Sequence, residues 1–160
     1  MEQAARYGQL HIAEFLVDQG ADDLNSAMFA ASRYGQINVL KFLISKGANN
    51  FSSSIDIAAE EGKFDIVKFL LKEIKQIGNI DDLNEALNSA AFGGYLNIVK
   101  LLIENGANDI NRALVAASGG GHREIIKFLV NKGASNFTEA IEEAKNDDIT
   151  KYLKTWTKRK

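Results

Sequence analysis

The chain of 160 residues contains no cysteine. That removes a disulfide framework and any thiolate metal site. Basic charge is not in excess either: 19 Lys and Arg stand against 21 Asp and Glu, giving a net charge of -2 and a pI near 5.7. A general nucleic-acid binder usually carries the opposite balance. The N-terminus, MEQAARYGQL, lacks the basic region and apolar run of a secretory signal. No stretch approaches the roughly 18 apolar residues of a membrane span. The best runs, such as IVKFLL, are broken by lysine. Alternating strand patterning is missing as well. What the chain does have is a hydrophobic fraction of 46%, enough for a continuous core, with an ordinary 25% of charged residues. These features fit an intracellular protein without membrane or nucleic-acid partners.

The positive signal is a recurring glycine. Gly8, Gly35, Gly62, Gly94 and Gly121 are spaced by 27, 27, 32 and 27 residues. A second glycine follows 12 residues later in four of the five units, at Gly20, Gly47, Gly106 and Gly133. Self-similarity at this interval predicts stacked repeats rather than one central core. A solenoid works through an extended surface, so a binding face is sought before a catalytic pocket.

The columns around the glycine define a helical hairpin. Ten residues before it stand Asn25, Ser52, Asn84, Asn111 and Thr138, read as N-caps, each preceded by an apolar residue (Leu24, Phe51, Leu83, Ile110, Phe137) that staples the first turn. Seven before it stand Met28, Ile55, Leu87, Leu114 and Ile141. Four before it stand Ala31, Ala58, Ala90, Ala117 and Ala144, small enough for close helix approach. The glycine ends this inner helix in a left-handed conformation. An outer helix follows, with apolar columns four, seven and eight residues past the glycine: Val39, Phe42 and Leu43 in the second unit, Ile98, Leu101 and Leu102 in the fourth. The column between them, Glu14, Lys41, Lys68, Lys100 and Lys127, must point outward. In four of the five units a Gly-Ala pair closes the outer helix, and a polar turn of four or five residues leads to the next unit.

The stretches AASRYGQINVLKFLISKGA, AAFGGYLNIVKLLIENGA and AASGGGHREIIKFLVNKGA resemble ankyrin repeats. The shared features are the A-A-x-x-G turn, the I-V-K-x-L-L outer helix and the closing G-A. The resemblance covers essentially the whole chain. It implies an all-α, ankyrin-type solenoid of stacked helix-turn-helix repeats. Two departures matter. The family's T-P-L-H segment is replaced by SAMF, SSID, EALN, RALV and EAIE, and the period is 27 instead of roughly 33. The shortfall corresponds to the β-hairpin finger, so tight turns stand in place of hairpins. Arrays of this kind resemble those of large viruses and intracellular bacteria, which extends the expected location to a host cytoplasm.

About six units follow, spanning 1–21, 22–48, 49–80, 81–107, 108–134 and 135–160, as a single domain. The last helix, near 150–158, is polar except for Ile149, Tyr152, Leu153 and Trp156, and reads as a C-terminal cap. Met1 falls in the Met28 column, so the first helix lacks its start; a frayed half-repeat and a cut from a longer array both fit. The third unit carries five extra residues, which predict an outer helix about a turn longer. They serve as a neutral insertion, a contact element or a bend.

No catalytic, cofactor or metal site is expected. His11 and His122 lie in different columns, and His122 fills the family's turn position. Gly119, Gly120 and Gly121 are not followed by the Lys-Ser/Thr of a phosphate loop. Glu60 with Glu61, and Glu142 with Glu143, are adjacent on helices and point apart.

With the core columns facing inward, the inner helices leave an exposed concave stripe at nine, six, two and one residues before the glycine. It reads Ser26, Phe29, Arg33 and Tyr34; then Ser53, Asp56, Glu60 and Glu61; then Glu85, Asn88 and Phe92; then Arg112, Val115 and two glycines. These columns vary in type while the core columns barely change. Arg6-Tyr7 repeats the Arg33-Tyr34 pair. Phe29, Arg33, Tyr34, Asp56, Glu60, Glu61, Asn88 and Phe92 are therefore the candidate contacts for a protein partner, with aromatics and arginine as anchors. The expected function is a non-catalytic, monomeric protein–protein interaction module. The alternative is a targeting or spacer segment of a larger multidomain enzyme or effector whose activity lies outside this chain.

Overall fold

A computed structural model describes residues 1–77 and 83–157. Within them lie twelve α-helices and no strand. The ends of two sequence features, the insertion at 78–80 and the basic tail at 158–160, lie outside the described residues.

Chain contacts divide the molecule into two compact units, Met1–Asp81 and Asp82–Lys160. The first contains α1 (Glu2–Arg6), α2 (Leu10–Asp18), α3 (Leu24–Tyr34), α4 (Ile37–Ser45), α5 (Phe51–Glu60) and α6 (Phe64–Ile77). Inner helices α1, α3 and α5 pack in sequence, α2 lies on α4, and α6 folds back on α5. The second contains α7 (Asn84–Gly93), α8 (Leu96–Glu104), α9 (Ile110–Gly120), α10 (Arg123–Asn131), α11 (Phe137–Glu142) and α12 (Asp147–Thr157). There α7, α9 and α11 are the inner layer, α8 lies on α10, and α12 covers α11.

The inner helices are close because their facing positions are small. Ala31, Ala58, Ala90 and Ala117 are fully buried, as the alanine column requires. The same face holds two further small columns that the sequence reading passed over: Ala27, Ser54, Ala86, Ala113 and Ala140, and Ala5, Ser32, Ala59, Ala91 and Ser118. Met28, Ile55, Leu87 and Leu114 fill the space between layers, with Leu43, Leu70, Leu102 and Leu129 opposite them. A missed outer-helix column, Ala13, Leu40, Val67, Val99 and Ile126, is also buried.

Gly35 ends α3 at φ 76°, and the N–H of Gln36 reaches back to the Ala31 carbonyl at 2.8 Å. This is the left-handed cap that only glycine adopts cheaply. The Gly-Ala pairs close the outer helices in the same manner: the Ala48 N–H donates to Leu43 and the Ala107 N–H to Leu102, both at 3.0 Å. Each following turn spans five residues, 46–50 and 105–109 among them.

The polar column ten residues before the glycine is not the cap column. The inner helices start earlier, with Asp23, Asn50, Leu83, Asp109 and Asn136 at the N-cap. The apolar residues expected outside as staples, Leu24, Phe51, Ile110 and Phe137, are the first helical residues. The asparagines instead bind the next repeat. The Oδ1 of Asn25 accepts the N–H groups of Asn49 (2.8 Å) and Asn50 (3.1 Å). Asn84 does the same with Asn108 and Asp109, both at 2.9 Å, and Asn111 with Ser135 (2.8 Å) and Asn136 (3.3 Å). One side chain thus satisfies two main-chain donors of a tight turn 24 and 25 residues downstream. These donors are left open by the short turn and would otherwise rely on water.

The insertion lies within the helix. Outer helix α6 has 14 residues where α4 and α8 have nine, and the difference equals the five extra residues of the 32-residue step. Leu71 and Ile74 of this helix are buried. At the N-terminus, Ile12 and Phe15 are 49% and 60% exposed, although their columns are apolar throughout. No described helix covers them, because these positions meet the preceding repeat in the later units. At the other end, Ile149 and Leu153 of α12 are buried, and Trp156 meets Tyr152 edge-on at 6.3 Å.

Candidate functional site

In the first unit two sets of side chains link successive inner helices along the stripe. Arg33 of α3 donates through Nε to Glu61 Oε1 at 3.1 Å, bringing together two candidate contacts from neighbouring repeats. The Arg6 guanidinium lies 4.8 Å from the Tyr34 ring centre and 5.4 Å from that of Tyr7. The duplicated Arg-Tyr pair therefore forms an aromatic–cationic ledge across two repeats. Tyr7 is 63% and Tyr34 40% exposed, so the ledge is open to solvent.

Nearer the start of the helices, Phe29 is half-buried, not a freely exposed ring. It lines a groove of about 420 Å³ with Glu2, Asn25, Ser26, Asn50 and Ser53. Ser26 and Ser53 belong to the sequence-derived stripe. Glu2 does not, although it occupies the Phe29 column of the first repeat, six residues before Gly8. Extending the column to the first repeat would have found it. Asp56, in the same column one repeat on, is half-buried, and Glu60 is exposed.

In the second unit, Asn88 and Phe92 lie four residues apart on one face of α7. Asn88 is half-buried, whereas Phe92 is 59% exposed. Beside Phe92 the chain places Gly119 and Gly120 of α9. A Cβ on Gly120 would come within 2.2 Å of the Phe92 carbonyl oxygen, so this glycine is required by packing. A Cβ on Gly119 would make only ordinary contacts, 3.5 Å to the Glu143 carbonyl oxygen and 3.7 Å to the Phe92 ring. Glycine at 119 keeps the flank of the ring open without being needed there. Glu85 and Arg112, stripe residues of successive repeats, form an ion pair.

His122 has a structural position. Its Nε2 is 2.8 Å from the Phe92 carbonyl, and its ring covers Gly94. Gln36 does the same in the first unit, donating through Nε2 to the Arg6 carbonyl at 3.1 Å. The outward column is also more than a solvated face: Lys41 Nζ lies 5.5 Å from the Phe69 ring centre and Lys100 Nζ 5.6 Å from that of Phe128, each one repeat on.

Among the described residues no group of three or more His, Cys, Asp or Glu is placed to hold a metal ion. No described helix is long and apolar enough to cross a membrane.

A family model described as ankyrin repeats in three copies matches residues 55–140, and a single ankyrin-repeat model matches residues 23–55. No curated protein matches the chain.

Proposed function

The chain belongs to the ankyrin-repeat family, and from that premise we propose that it is a non-catalytic module that binds a protein partner on the concave face of its inner helices. Ankyrin repeats are generally protein–protein interaction modules and typically non-catalytic. The choice of face rests on the open aromatics of the stripe. Tyr34 and Phe92 remain 40% and 59% exposed on inner helices whose packing columns are otherwise buried. Rings left in water at such positions are the usual anchors of an interface.

Phe29, Arg33, Tyr34, Asp56, Glu60 and Glu61 are the proposed contacts of the first unit, and Asn88 and Phe92 those of the second. The described turns between repeats, five residues each, are too short to carry a finger, which leaves the helices as the available surface. The same columns recur on both sides of the five-residue insertion, which supports reading 1–160 as one array. An intracellular, monomeric module is part of the same proposal. Replacing Phe29, Tyr34 and Phe92 together by alanine, and comparing the proteins captured by the intact and the altered chain, tests it.

A further inference from the structure

We propose that the groove over Phe29 receives a lysine or arginine side chain from a basic protein segment, an inference that rests on the partner-binding reading of the inner-helix face. The groove lies wholly within the first unit, and neither a lysine nor an arginine lines it. Counting back six residues from successive anchor glycines gives Glu2, Phe29 and Asp56. Phe29 thus shares its column with Glu2 and Asp56 of the repeats before and after it, and of these two carboxylates Glu2 lines the groove. Glu2 is exposed and borders the groove. The neighbouring cations face other groups. Arg33 pairs with Glu61, Arg6 lies over Tyr34, and the α-ammonium of Met1 faces Asp23 at 3.9 Å.

The lining selects among guests. The Ser26 and Ser53 hydroxyls offer acceptors for N–H donors, and the Asn25 carbonyl oxygen already holds the N–H groups of Asn49 and Asn50. The half-buried Phe29 ring offers apolar contact to an alkyl stem and a negative π-face to the charge at its end. An anionic guest would meet Glu2 with no compensating cation in the lining. An aliphatic guest would cover the carboxylate and hydroxyls without pairing them, at a desolvation cost. A long cationic side chain pairs with the carboxylate and the hydroxyls while its stem lies against the ring.

Panning a random dodecapeptide phage library against the immobilised chain, followed by fluorescence anisotropy of the enriched peptides, tests this. The expected peptides share a lysine or arginine whose norleucine replacement abolishes binding. Glu2→Lys should weaken them about fivefold or more, since an exposed ion pair is lost and reversed. Phe29→Ala should weaken them about tenfold. Glu2 is exposed, so its variant remains informative if Phe29→Ala fails to fold. Peptides lacking a shared basic residue but weakened by Phe29→Ala overturn the cationic guest and leave the inner-helix surface standing. Peptides indifferent to both variants overturn the cationic guest; peptides indifferent also to Tyr34→Ala and Phe92→Ala overturn the inner-helix reading as well. Failure to enrich any peptide overturns the cationic guest.

Discussion

The imidazole of His122 joins two repeats at one point: its Nε2 is 2.8 Å from the Phe92 carbonyl oxygen, while its ring fills the space that a Cβ on Gly94 would need, at 2.5 Å. The contact binds a helix-terminal carbonyl of one repeat with the first turn of the next. His122→Ala should cost about 1 kcal/mol through the lost hydrogen bond. Gly94→Ala should cost more, because its φ of 88° strains any side chain and the ring stands in the way. The double variant should be less destabilised than the sum, since removing the ring relieves the clash. Urea titration of the four proteins reads this coupling; strict additivity would show that the ring does not press on Gly94.

Adjacent glycines in α9 should respond in opposite directions. Gly119→Ala adds a methyl group in ordinary contact and removes a helix-weakening glycine, so a stabilisation of roughly 0.5–1 kcal/mol is expected. Gly120→Ala drives a Cβ to 2.2 Å from the Phe92 carbonyl and should destabilise by about 2 kcal/mol or more. Thermal unfolding distinguishes them. If Gly119→Ala also reduces partner binding while raising stability, the open flank of Phe92 is part of the contact surface.

The asparagine column makes a chemical prediction. Asn111 uses only its carbonyl oxygen on the next turn, accepting from Ser135 and Asn136. Asn111→Ala should cost about 1–2 kcal/mol for two lost acceptor contacts. Asn111→Asp keeps both acceptors and should stay near wild type. Equal losses in the two variants, measured by urea titration, would show that the amide nitrogen carries the interaction.

The asparagines also mark the limit of what the sequence discloses. Column spacing foretold the left-handed glycines, the alanine contact face and the buried Met28 and Leu114 columns, because each follows from geometry within one hairpin. The longer α6 was legible for the same reason: five extra residues add their length to the helix that contains them. The role of Asn25, Asn84 and Asn111 was not legible. An asparagine near a helix start caps its own helix or reaches a neighbour with the same atom, and the deciding partner lies 24 residues away. Gln36 and His122 were obscured by dissimilar chemistry in a shared position. Periodicity marks Phe29 as outward because it gives direction but not depth; the ring is half-buried and lines a groove with Glu2 and Ser53 of adjacent repeats.

The inner-helix stripe is the proposed partner surface. Its most direct test is affinity capture with mass spectrometry, using the intact chain and a Phe29→Ala, Tyr34→Ala, Phe92→Ala variant verified as folded by circular dichroism. Each ring, as an interface anchor, is expected to contribute about 2 kcal/mol or more, a factor of about 30; because such contributions are not additive, the triple variant should lose its specific partners by at least a factor of about 100. An unchanged set of captured proteins on a folded variant would show that the partner binds elsewhere.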